Sequence, residues 1–220
     1  MGNMRRGLSA VLMAGVLAGC GTSGGDTGSD TQNTTSDTQK GSPTPSASAP
    51  SAASGGTLGA KGSACELPVT FETAAKWKAE SITAPKGASD DLLDGLLRQG
   101  PVTGVCEIDA KPAGHIGFIR VYQGEPGNAD ARTVLKGFLA AEKGVSEEKY
   151  ETFTAGGASG VEVSYRVHVE LLDETKTEHA LAVTTPEGPV VIHLGGIDDE
   201  EHKAMLPALD LAKRTLRVTA

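Results

Sequence analysis

Aromatic residues are scarce in this chain: its 220 positions hold four Phe, three Tyr and one Trp. A core must therefore be assembled from Val, Leu, Ile and Ala, with Trp77 and the few other rings filling the larger spaces. Cysteine is scarcer still, and Cys20, Cys65 and Cys106 are too far apart for the C-x-x-C turn of a redox pair. Basic residues form no cluster, and 20 Lys and Arg against 28 Asp and Glu give a formal charge of -8. That balance argues against nucleic acid as a partner and against attraction to anionic headgroups. No apolar run reaches the roughly 20 residues of a membrane-spanning helix. No repeat occurs at a period of 20 to 50 residues, so one globular domain is expected.

What is present begins with a basic start at Arg5 and Arg6, an apolar run from Leu8 to Leu17, and Ala18-Gly19 leading to Cys20. Leu17-Ala18-Gly19-Cys20 resembles the lipobox of bacterial lipoproteins. The resemblance implies that residues 1-19 are a signal peptide that is removed and that Cys20 is the lipidation site, acylated on its thiol. The protein would then lie on the extracytoplasmic face of the cell membrane, held to it by the lipid on Cys20.

From Gly21 to Ser63 the composition turns to Gly, Ser, Thr, Asp and Pro, with Leu58 the only large apolar residue. Such a stretch buries too little apolar surface to offset the entropy of ordering it. Residues 20-63 are expected to be a disordered tether, spanning on the order of 35 Å root-mean-square as a flexible coil. The globular domain is expected over residues 64-220. Cys65 and Cys106 would lie on the exported side, where disulfides persist, and a bond between them is expected, with two separate buried thiols as the alternative.

Within the domain, Val69 to Glu72 and Lys78 to Thr83 read as short strands, and Ser89 to Leu97 as a helix with Leu92, Leu93, Leu96 and Leu97 on one face. Val102 to Ile108 and Ile116 to Tyr122 form a hairpin around Lys111-Pro112-Ala113-Gly114. Gly127 to Lys143 reads as a helix capped by Asn128 or Asp130. Odd positions from Val161 to Val169 are apolar and even ones polar, a strand with one dry and one wet face. With Tyr150 to Thr154, His179 to Thr185 and Val190 to Leu194 it makes a four-stranded meander. A last helix starts near Asp198, with Glu201 completing a capping-box-like pair, and Pro207 is expected to kink or divide it. The fold class is α+β: an antiparallel β-sheet meander with helices packed on its faces.

This order of elements, together with Trp77, the run Gly114-His115-Ile116-Gly117-Phe118-Ile119-Arg120-Val121 and the strand Gly160-Val161-Glu162-Val163-Ser164-Tyr165-Arg166, resembles actinobacterial lipoproteins of the PsbP/Mog1-like, LpqN-type group. The resemblance implies an α/β/α sandwich used for binding, with no shared activity and no functional residue to transfer.

No catalytic, cofactor-binding or metal-ligating residue is assigned. The five histidines show neither H-x-x-x-H nor H-E-x-x-H spacing and read as surface residues. Gly157-Ala158-Ser159-Gly160 falls one residue short of a nucleophile elbow, and Asp198-Asp199-Glu200-Glu201 lacks the alternating ligands of a calcium loop and suits a helix N-terminus. The expected role is a non-catalytic binding or protein-interaction domain of the cell envelope, whose partner is an envelope protein or a small apolar ligand. Two alternatives stand beside it: an exported hydrolase with a site assembled from scattered residues, and a purely structural envelope lipoprotein. A pocket of convergent polar groups would favour the hydrolase, and an apolar cleft would favour binding.

Overall fold

The structure is a computed structural model that describes residues 51–83 and 95–219. The leader, Cys20, most of the tether and the first part of the helix expected at Ser89 to Leu97 lie outside the described residues; residues 95–97 are helical.

Eight strands make the main sheet, in the order β3 (Lys78–Ser81), β5 (Val102–Asp109), β6 (Gly117–Gly124), β10 (Gly188–Gly196), β9 (Glu174–Thr185), β8 (Ala158–Val169) and β7 (Val145–Ala155), with β4 (Arg98–Gln99) also on β5. Every pairing in it is antiparallel. The last four long strands follow one another through tight turns, as the period-two pattern predicts. Gly156 and Gly157, both at positive φ, turn β7 into β8. A smaller three-stranded sheet is built from β1 (Ser54–Leu58), β2 (Val69–Ala74) and β11 (Arg217–Val218).

Helix α1 (Ala131–Ala140) starts at Asp130, whose carboxylate accepts from the Thr133 amide at 2.7 Å. It presses Val134, Leu135, Phe138 and Leu139 onto β8, β9 and β10. The opposite face carries α2 (Asp199–Thr215), which buries Met205, Ala208, Leu209 and Ala212 with Ile192 and Leu194 of β10 and Phe71 of β2. The sheet thus separates two apolar layers, as an α+β sandwich requires. Cys65 and Cys106 are joined by a disulfide, with Cα atoms 6.0 Å apart, and tie the loop before β2 to the middle of β5.

Four expectations need correction. The ordered domain begins before Ala64, because Ser54–Leu58 pairs with β2 and buries Leu58 in the core; the partner strand supplies what this polar sequence lacks alone. The second face of β8 is not wet throughout, since Lys213 of α2 reaches across to Glu162 at 2.9 Å. Of the two outcomes expected at Pro207, a kink or a division, the division does not occur, since α2 runs unbroken over 17 residues; Met205, Ala208 and Leu209 are buried on either side of the missing hydrogen bond and hold the turn. Only half of the capping box forms. Asp198 accepts from the Glu201 amide at 2.8 Å, whereas the Glu201 carboxylate turns away to the Ile116 amide and the His115 ring.

Candidate binding site on the half-covered sheet face

On a pleated sheet, alternate residues of each strand face the same side. On the α1 side these are Glu107 and Asp109 of β5, Phe118, Arg120 and Tyr122 of β6, Lys176 and Glu178 of β9, and His193 and Gly195 of β10. Helix α1 is only ten residues long and covers the β8–β9 half of this face. Beside it, these residues line a cavity of about 540 Å³ with Ile116 and Ile197 at its rim. A second groove of about 360 Å³ continues over β3 and shares Glu107, Asp109 and Arg120 with it.

The inner end of the cavity is a buried ionic network. Glu178 is 3 % exposed and His193 8 %. Glu178 accepts from His193 Nε2 at 2.8 Å, from Lys176 Nζ at 2.8 Å and faces the Tyr165 hydroxyl at 3.2 Å. Burial works against its charge, but His193 and Lys176 outweigh burial and hold the carboxyl down at about 2. Lys176 also donates to the Gly196 carbonyl at 2.8 Å, which fixes the ammonium at the end of β10. Glu142, just beyond α1, lies 3.2 Å from the same Tyr165 hydroxyl. Burial, and then the nearby charge of Glu178, push its carboxyl above the ordinary range. Burial likewise raises the Tyr165 phenol, with both carboxylates adding to the effect.

The outer wall is ordered in a different way. Arg120 pairs with Glu107, its cross-strand neighbour, and its guanidinium lies 4.5 Å over the Phe118 ring. Phe118 in turn lies across Gly195, where an added Cβ would come within 3.2 Å of the ring. The Tyr122 hydroxyl donates to Gln99 Oε1 at 3.3 Å. Among the described residues, no Ser, Thr or Cys lines the cavity.

The histidines are not all surface residues. His193 belongs to the cavity, and His202 is 1 % exposed on the other side of the sheet. There its Nε2 stands 2.7 Å from His179 Nδ1, with the two rings stacked. Among the described residues no cluster of three or more metal-ligating side chains is found. Ser159 is exposed in the β7–β8 turn, and Asp198, Asp199 and Glu201 bind backbone amides and side chains of the protein itself. The site was missed at the sequence level because Lys176 and Glu178 precede the expected strand at His179, so their parity with His193 was not available. The signal was Tyr165: it pairs directly with Glu178, and a tyrosine on a dry face needs a partner for its hydroxyl.

A protein family described as "Uncharacterised lipoprotein" matches residues 35–216. The chain belongs to that family. No curated protein matches this lipoprotein. Among solved structures, the lipoprotein is similar to the cyanobacterial PsbP, CyanoP, from Synechocystis sp. PCC 6803, at 16 % identity and a TM-score of 0.46, covering 69 % of this chain and 86 % of that one. It is also similar to LpqN of Mycobacterium tuberculosis, a protein described as involved in cell envelope biogenesis, at 16 % identity and a TM-score of 0.44, covering 69 % and 83 %.

Proposed function

We propose that this lipoprotein is anchored through a lipid on Cys20 at the extracytoplasmic face of the membrane, and that its domain binds a small ligand without turning it over. The half-covered sheet face carries the reading. A ligand there would meet a preformed network of charges at the inner end and Ile116, Phe118 and Ile197 at the outer end, the mixture of a few fixed polar groups with apolar walls found in ligand sites. The ionic groups are already paired with one another, so they orient a ligand without needing to be assembled by it. The expected partner was an envelope protein or a small apolar ligand; the polar floor supports a small ligand that carries both polar and apolar character.

A hydrolase is the second reading, favoured by one observation: Glu178 holds His193 Nε2, the carboxylate–imidazole arrangement of a general base. With no Ser, Thr or Cys among the described lining residues, water would have to be the nucleophile. Screening the purified protein with ester, peptide, glycoside and phosphate substrates separates the two. Background turnover supports binding alone; turnover lost in His193→Asn overturns it. For the anchor, a fatty-acid label present on the wild type and absent from Cys20→Ser is expected, and label retained by the variant would place the lipid elsewhere.

A further inference from the structure

Acceptors in the cavity outnumber the hydrogens that the chain supplies to them. Tyr165 has one hydroxyl hydrogen for two carboxylates, both at 3.2 Å. Glu178 has Lys176 and His193 besides, whereas no ion pair among the described residues reaches Glu142. His193 is the second, independent sign. A carboxylate only accepts, so Nε2 carries the hydrogen toward Glu178. The other ring nitrogen, Nδ1, is buried without any hydrogen-bond partner. A buried polar atom left unmet costs stability that a partner from outside would restore. The charges agree: four carboxylates line the cavity against Lys111, Arg120 and Lys176, and the last two are committed to Glu107 and Glu178.

Building on the cavity as a ligand site, we propose that its ligand is a protonated primary amine whose ammonium sits on Glu142 and whose carbon chain lies toward Tyr122 and the Ile116–Ile197 rim. An ammonium brings three donors and no acceptor, which is what the floor lacks, and a ring face such as that of Tyr122 favours a cation nearby.

The test uses the full-length, ¹⁵N-labelled protein in detergent, titrated with n-butylamine, with n-butanol as the uncharged isostere and n-butyrate as the anion. Shifts in the amides of Lys176 to Ala180 and Val191 to Gly195 report the site. Butylamine is expected to bind at least tenfold more tightly than either control, and to lose at least tenfold in Glu142→Gln, whose half-buried position at the end of α1 leaves the fold intact. Equal or tighter binding of butanol or butyrate at the same residues, or butylamine binding unchanged in Glu142→Gln, overturns the amine while leaving the cavity a binding site. No shift with butylamine overturns the amine as well, and the cavity itself is then judged by what accompanies the protein from its own membrane.

Discussion

Acidification should destabilise this protein well before its carboxylates protonate, through His202. The residue sits in the first turn of α2, 1 % exposed, against Gly196 of β10, with Nδ1 lacking a partner. Burial first, and then the neighbouring His179 ring, lower its pKa from 6.5 to about 4. His179 is lowered in the same direction by burial, with Glu162 and Asp210 opposing and Lys213 adding to the effect. Between these values the unfolded chain holds a proton on His202 and the folded protein does not. Stability is therefore fully present above about pH 6.5 and falls as pH drops through about 4. The depression from 6.5 to about 4, at about 1.4 kcal/mol per pH unit, amounts to about 3 kcal/mol, a large share of a domain's total. Urea unfolding followed by the fluorescence of Trp77, the single tryptophan, which packs against the core, measures this at pH 7.5 and pH 4.5. His202→Leu should flatten the pH dependence in that window by about one proton. An unfolding free energy equal at the two pH values, or a slope unchanged in His202→Leu, would refute the reasoning.

Other consequences follow from single contacts. Glu178→Gln leaves Lys176 and His193 facing a neutral group in a buried site, and should cost about 3–5 kcal/mol by the same urea assay. In the wild type, the ionised Glu178 adds stability that disappears only as pH falls below 4.5 toward about 2, a window distinct from that of His202. Gly117→Ala should cost about 1–3 kcal/mol, because its Cβ would stand 2.3 Å from Met205 Cε and 2.5 Å from the Gly195 carbonyl. Met205→Ala should not rescue it, since the carbonyl remains. Reducing Cys65–Cys106 opens a loop of sequence separation 41 and should lower stability by up to about 4 kcal/mol; no change on reduction would mean that the unfolded chain is already constrained.

How much of this was legible in the sequence depended on whether a segment's pattern was local. The β8 alternation, the hairpin around Pro112 and the Asp130 cap are written in neighbouring residues, and the structure reproduces them. Ser54–Leu58 was not legible, because its strand exists only as the partner of β2. The even positions of β8 were read as wet, since nothing in them announces that Lys213 of α2 will reach across to Glu162. The site suffered most. Its members come from four strands, and only the pairing of Tyr165 with Glu178 and of Ala180 with His193 brings Glu178 diagonally beside the imidazole. A lone histidine inside the apolar run Val190 to Leu194 was the strongest local hint: a buried ring nitrogen must find a partner, and a charged residue two places along the next strand was the candidate.

The claim that the half-covered sheet face holds a ligand is tested most directly by isolating the full-length lipoprotein from its own membrane and extracting what accompanies it for mass spectrometry. Wild type and Ile197→Trp would be compared. Ile197 is 53 % exposed at the cavity rim, so the larger ring should obstruct the mouth without disturbing the core, as an unchanged circular dichroism spectrum would verify. The account predicts a small molecule present in near-stoichiometric amount with the wild type and strongly reduced with Ile197→Trp. No small molecule with the wild type, or the same one in equal amount with both, would contradict it.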